Sequence, residues 1–177
     1  MYLWVGIDVD EQLHKVKSLA QKAEKQIGFE HSNFTLPLHI SLKISFQISD
    51  IDYDQIVQDI AEIYHNTKPF SISVKGLEVY DNIAWIRMNG CEALNMLHDR
   101  LNTMLLEKYH IPLHEYDLDY KFHTTLFMDD NVQKVDWAYQ QVKDTELPTT
   151  LHANCFLIGS SPTGQLGTFS VRERICV

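Results

Sequence analysis

Two short segments of this chain alternate apolar and polar residues with a period of two, and they occupy matching places in two like halves of the sequence. Leu38-His39-Ile40-Ser41-Leu42-Lys43-Ile44-Ser45-Phe46 is the first, and the stretch near Tyr120 to Phe127 is the second. Period-two alternation is the mark of a half-buried β-strand, in which residues i, i+2 and i+4 share a face. His39, Ser41, Lys43 and Ser45 therefore line one face of the first strand, while Leu38, Ile40, Leu42, Ile44 and Phe46 line the face that packs on helices. The same rule sets Lys121, His123 and Thr125 against Phe122, Thr124 and Leu126. An imidazole, a hydroxyl and an ammonium thus recur together on two polar strand faces.

The surrounding elements repeat as well. The first half predicts a strand near Tyr2 to Val9, a helix from about Asp10 to Gln26 with Asp10 as N-cap and Gly28 as terminator, and then the first alternating strand. A helix near Tyr53 to His65, preceded by Asp52, and a strand near Phe70 to Tyr80 complete it. The second half predicts a strand near Ile83 to Met88, a helix near Glu92 to Tyr109, the second alternating strand, a helix near Val132 to Lys143, and strands near Thr150 to Ile158 and Thr168 to Val177. Both halves, about 1–80 and 81–177, read βαβαβ. The expectation is one α+β domain over 1–177, bilobal, with duplicated halves whose two antiparallel sheets flank a central cleft.

Composition narrows what such a domain does. The chain has 177 residues, 45% of them hydrophobic and 22% charged, which suits one domain with a substantial core. A formal net charge of −9 argues against gripping long nucleic acid through many phosphate contacts, but leaves room for a small phosphate ligand in a local positive pocket. No apolar run reaches the roughly 20 residues of a membrane span, and the N-terminus lacks signal-peptide features, so a cytoplasmic protein is expected. Cys91, Cys155 and Cys176 form no Cys-x-x-Cys pair and read as reduced thiols.

His-x-Ser/Thr alone is a weak motif. With nine histidines, chance supplies a match, and His65-Asn66-Thr67 is one, at the expected C-terminal end of a helix where a His favours the dipole. His39-Ile40-Ser41 and His123-Thr124-Thr125 differ from it in context: mid-strand, on the polar face, beside a Lys, at equivalent points of two halves. Paired histidines suit phosphodiester cleavage, which needs one group to take a proton from the attacking oxygen and another to give one to the leaving oxygen. His39 and His123 are the candidate acid and base, in either order. Ser41 and Thr125 are candidate donors to the non-bridging phosphate oxygens, with Lys43 and Lys121 as candidates to balance charge. Trp4, Tyr80, Trp85 and Tyr120 lie near strand ends and either stack a base or, for the two tryptophans, fill the core.

The segments Leu36-Pro37-Leu38-His39-Ile40-Ser41-Leu42 and Phe122-His123-Thr124-Thr125-Leu126 resemble the paired signatures of the two-histidine (2H) phosphoesterase superfamily, also called the RNA 2′,5′-ligase and cyclic phosphodiesterase group. The resemblance implies a bilobal α+β fold, two catalytic histidines, phosphate-holding hydroxyls and no cofactor or metal. It also implies nucleotide or RNA-end substrates carrying 2′,3′-cyclic phosphates or 2′,5′-linked phosphodiesters. The second motif departs from the pattern in having Tyr120-Lys121-Phe122 where a Pro often precedes the His, and in the polar Thr124.

Three other readings remain open: RNA 2′,5′-ligation as the reverse reaction on the same site, a catalytically silent module that binds nucleotides or RNA ends, and a metal enzyme. The last is prompted by His110-Ile111-Pro112-Leu113-His114, but Pro112 breaks the helix on which such a His pair converges on one ion.

Overall fold

Eight strands and five α-helices make up the computed structural model, which describes residues 1–177: β1 (Tyr2–Asp8), α1 (His14–Ile27), β2 (His39–Gln47), α2 (Tyr53–His65), β3 (Phe70–Tyr80), β4 (Ile83–Met88), α3 (Glu92–Tyr109), α4 (Glu115–Leu118), β5 (His123–Met128), α5 (Val132–Val142), β6 (Thr150–Ala153), β7 (Cys155–Ser161) and β8 (Ser170–Cys176). A single 3-10 turn, Asn33–Thr35, precedes β2. The strands form two four-stranded sheets, ordered β2-β1-β7-β8 and β5-β4-β3-β6, with every pairing antiparallel. This is the α+β, two-sheet architecture expected from the repeat.

The sheets do not coincide with the sequence halves. β3 and β4 are joined by the two-residue turn Asp81-Asn82, with Asp81 at φ 52°, a left-handed conformation that Asp tolerates. That hairpin carries β3 into the second sheet. The chain returns at Asn154. The segment expected as one strand from Thr150 to Ile158 is two: β6 pairs with β3 in the second sheet, and β7 pairs with β1 in the first. The first half thus lends β3 to the second sheet and the second half lends β7 and β8 to the first, which ties the lobes together.

The helices form where their apolar stripes fall. α2 buries Ile56, Val57, Ile60, Ile63 and Tyr64, the helical spacing read from sequence. Gly28 ends α1 at φ 71°, its N–H donating to the Glu24 carbonyl. The start of α1 differs from expectation. It begins at His14, with no side-chain cap from Leu13, because the Asp10 carboxylate is engaged elsewhere: it accepts from the Leu38 N–H at 2.7 Å and from the Lys17 ammonium at 2.5 Å. Asp10 therefore fixes the backbone one residue before His39.

Cys155 and Cys176 correct the reading of three reduced thiols. They are direct cross-strand neighbours on β7 and β8, with Cα atoms 4.1 Å apart, and form a disulfide; Cys91 is free. Separation of 21 residues along the chain hid a pairing that the antiparallel register creates. No helix is long and apolar enough to cross a membrane.

Candidate active site

β2 and β5 are each the edge strand of their sheet, and they lie against one another at the seam between the two sheets. Their polar faces meet there. A cavity of about 170 Å³ is lined by His39 and Ser41 from β2 and by Thr125 and Met128 from β5, with Asn33, Leu36, Pro37 and Leu38 along the approach to β2. A larger and more open cavity of about 430 Å³, between Gln47 and Ile56 on one side and Tyr109 to Pro112 on the other, contains none of the motif residues.

The two histidines are held alike. Nδ1–H of His39 donates to the Pro37 carbonyl at 2.8 Å, and Nδ1–H of His123 donates to the Lys121 carbonyl at 2.6 Å, in each case two residues back. A carbonyl only accepts, so Nδ1 carries the proton and Nε2 is left for chemistry. Each ring also rests on a tryptophan: Trp4 and His39 have centroids 4.3 Å apart, Trp85 and His123 4.5 Å. Trp4 is nearly fully buried, as a core residue would be, and both tryptophans in addition flank the site histidines.

Close packing makes the first of these contacts possible. A Cβ on Gly159, which faces Trp4 across β1 and β7, would lie 2.1 Å from the indole Nε1, and one on Gly6 would press within 3.2 Å of the His39 ring. Only glycine at these two positions leaves room for the indole and the imidazole.

Burial pushes both imidazoles below their ordinary pKa, since desolvation disfavours the charged ring. The bond to the preceding carbonyl opposes this in both. The remaining charges differ: His123 lowers His39 while Asp8 and Asp10 raise it, whereas Arg87 lowers His123. His123 itself is not among the residues lining the 170 Å³ cavity; it lies two residues before Thr125, which is, on the same strand β5.

Lys43 does not join them. The expected period-two run is broken by bulges in the β1–β2 pairing, where Ser41 faces Gly6 and Lys43 faces Val5. Leu42 and Lys43 are consequently both buried, Ile44 is half-buried and Ser45 exposed. The Lys43 ammonium, 2% exposed, pairs with Asp117 at 2.6 Å and donates to Asn102 Oδ1 at 2.7 Å. It is spent inside the protein, tying β2 to α4 and α3, and leaves the set of phosphate candidates. Lys121 is exposed, just ahead of β5, and forms no ion pair.

Arg87 is the cation that sequence reasoning missed. It faces His123 across β4 and β5, its guanidinium lies 5.8 Å from the Trp85 ring, its Nε is buried without a hydrogen-bond partner, and its only carboxylate neighbour, Glu78, is 3.9 Å away. The alternation Trp85-Ile86-Arg87 placed it on the polar face, but nothing in the sequence tied β4 to β5. The other motif-like residues serve helix ends: His65 closes α2, His110 ends α3 at φ 57°, and His114 caps α4 with a capping box.

Comparisons with known proteins agree with this architecture. The chain resembles the protein TT0787 of Thermus thermophilus, at 16% identity over 99% of this chain and 97% of that one, with a TM-score of 0.66. It also resembles apo LigT of E. coli, at 14% identity over 99% and 96%, with a TM-score of 0.61, and LigT complexed with 3′-AMP, at 13% identity over 99% and 96%, with a TM-score of 0.59. At such identities the likeness is one of fold. No curated protein matches the chain by sequence. A family model, however, described as the 2′-5′ RNA ligase superfamily, matches residues 4–159, a span that holds both motifs and both tryptophans. With its paired strands meeting at one seam, the chain belongs to the 2′-5′ RNA ligase superfamily, among the two-histidine phosphoesterases that its motifs resemble.

Proposed function

We propose that the chain is a metal-independent phosphodiesterase that cleaves 2′,3′-cyclic phosphates or 2′,5′-linked phosphodiesters in small nucleotides or RNA ends, with His39 and His123 as acid and base. The observation that carries this reading is the single cavity lined by His39 and Ser41 from one sheet and Thr125 from the other. In this reading phosphorus bound there takes the His39 Nε2 on one side and the Nε2 of His123, two residues before Thr125 on β5, on the other. For hydrolysis, one imidazole takes a proton from water as its oxygen bonds to phosphorus, and the other gives a proton to the departing ribose oxygen. Ser41 and Thr125 donate to the non-bridging oxygens, and Arg87, with Lys121 at the rim, balances their charge.

Opposite neighbours favour one order of roles. Asp8 and Asp10 favour a protonated His39, the acid, and Arg87 favours a neutral His123, the base. LigT has been crystallised with 3′-AMP, ATP and NADP+, which supports a nucleotide as the ligand class here. The net charge of −9 favours a small one. Ligation of a 2′,5′ bond is the reverse of its cleavage and would use the same groups.

A panel of 2′,3′-cyclic nucleotides, 2′,5′-linked dinucleotides and RNA ends, incubated with the wild type and with His39→Ala/His123→Ala, tests this reading, with products resolved by regiochemistry. Turnover that survives EDTA and vanishes in the double variant is expected. Nucleotide binding without turnover of any substrate would make the chain a binding module instead.

A further inference from the structure

The cleft face of the second sheet changes character in three steps along its strands. Residues directly opposite one another in an antiparallel pair share a face, so the registers define the steps: Arg87 beside His123, then Glu78, Trp85 and Thr125, then Tyr80, Ile83 and Met128. A bulge in the β4–β5 pairing turns both Leu126 and Phe127 inward and returns Met128 to the face of His123 and Thr125. The first step is cationic and the second offers a hydroxyl and an indole. The third is apolar, and its outer member, Tyr80, is 71% exposed. This row holds no cation, and Asp81 and Asp129, which follow its two ends, are acidic, so it does not suit a second phosphate.

Asn33 reaches the same end from the first half of the chain. It lines the cavity together with Met128, and its Nδ2 donates to the Met128 carbonyl at 3.4 Å. Its backbone is fixed by a carboxylate that the chemistry does not use. Glu24 of α1, 8% exposed, accepts from the Asn33 N–H at 2.9 Å and from the Ser32 hydroxyl at 2.7 Å. The Asn33 Oδ1 and the second hydrogen on Nδ2 remain free. Leu36 and Pro37 complete the apolar lining between this amide and His39.

We propose that this end of the cleft is a nucleobase subsite that prefers adenine: the base rests on the Met128–Ile83–Tyr80 row, and Asn33 reads its edge. The inference rests on the nucleotide reading given above. An amide with one acceptor and one donor free matches the N6 amine and N7 of adenine, whereas guanine presents two acceptors, O6 and N7, at the same edge and sets O6 against the Asn33 Oδ1. Stacking on Tyr80 supplies affinity without choice, since every base has a π face. Glu24 holds the reading amide in place from outside the cleft, as a positioning residue.

The test compares the wild type with Asn33→Ala, Tyr80→Ala and Tyr80→Trp. Two quantities are read: kcat/KM on adenosine and guanosine 2′,3′-cyclic phosphates and on the base-free methyl riboside 2′,3′-cyclic phosphate, and the dissociation constants of adenosine and guanosine 3′-phosphates. The wild type is expected to favour adenosine over guanosine about ten-fold in both, the scale of one bidentate edge contact. Asn33→Ala, which keeps the backbone bond to Glu24, should make the two purines equal. Tyr80→Ala should cut the advantage of either nucleotide over the base-free ester about ten-fold, the scale of one stacked base, and Tyr80→Trp should keep it. A wild type indifferent to the purine, a preference that survives Asn33→Ala, or an advantage over the base-free ester that Tyr80→Ala leaves intact overturns the inference. Purine-selective binding of the 3′-phosphates that is lost in Asn33→Ala, with no turnover of any ester, would leave the subsite standing and end the hydrolytic reading; turnover without selectivity would do the reverse. A wild type with neither turnover nor nucleotide affinity would end both.

Discussion

Asp8 and Arg87 stand at the same place in their two sheets, each directly opposite a site histidine, and they carry opposite charges. Asp8 pairs in register with His39 and is itself held by Arg174 at 2.9 Å, while Arg87 pairs in register with His123. A pseudo-symmetric fold therefore gives two similarly held imidazoles unlike fields. Burial lowers both imidazoles, and within that common lowering Asp8 acts upward on His39 while Arg87 acts further downward on His123, the difference on which the proposed acid and base assignment rests.

Replacing these neighbours separates the roles. Arg87→Gln removes the cation that lowers His123, so the His123 pKa rises; Asp8→Asn removes a carboxylate that raises His39, so the His39 pKa falls. With His123 as base and His39 as acid, Arg87→Gln moves the acidic limb of the kcat/KM profile up and Asp8→Asn moves the alkaline limb down. Both variants narrow the bell. Profiles that broaden instead would exchange the two assignments.

The wild-type profile itself is constrained. Because burial lowers both imidazoles, kcat/KM should peak on the acid side of the unperturbed imidazole value of about 6.5. Initial rates at low substrate across a pH series measure this, and a maximum well on the alkaline side would contradict it.

The same shifts link pH to stability. A histidine lowered in the folded state binds fewer protons there than when unfolded, so stability is unaffected well above the unfolded value of about 6.5 and falls as pH drops from it toward the lowered folded value. Urea midpoints between neutral and mildly acidic pH should show this decline. In a His39→Gln/His123→Gln variant the decline should be shallower.

The Lys43–Asp117 pair carries a prediction about stability rather than substrate binding. Either Lys43→Met or Asp117→Asn leaves a buried partner uncompensated and should cost about 3–5 kcal/mol in urea unfolding, whereas the double change Lys43→Met/Asp117→Leu should regain much of it. A Lys43→Met protein of unchanged stability and reduced phosphate affinity would return Lys43 to the phosphate site.

Gly159→Ala tests the seat of Trp4. With a methyl carbon built 2.1 Å from Nε1, the indole must leave the sheet, and His39 loses its stacking partner. The expected result is a shifted tryptophan emission spectrum and a fall in kcat/KM of roughly 10- to 100-fold, the scale of a displaced reacting group. Unchanged emission and rate would mean that the sheet yields instead.

Much of the fold was legible along the chain because it was written in local patterns. α2, β3, β4 and α3 fall where their periodicity puts them, since each buries one stripe or face and that demand fixes a period. The two His-x-Ser/Thr segments were legible for the same reason. His39, Ser41, His123 and Thr125 alternate with residues that must be inside, so their own side was settled before any sheet was built. Lys43 shows the limit of that logic: bulges beside Val5 turned a polar-face position into a buried one, and the sequence shows neither the bulge nor Asp117, 74 residues away.

What the sequence by itself determined about this protein is the order of its elements, the faces of its two histidine strands and the family to which its motifs point. Tertiary structure alone decided which strands are neighbours. It sent β3 to the second sheet and β7 and β8 to the first, joined Cys155 to Cys176, set Arg87 beside His123, and brought β2 and β5 together as edges of one cleft. The physical reason is that periodicity reports only whether a side chain points in or out. The partner it meets depends on hairpin closure, strand register and the crossing of the chain between sheets, which are properties of residues far apart in sequence.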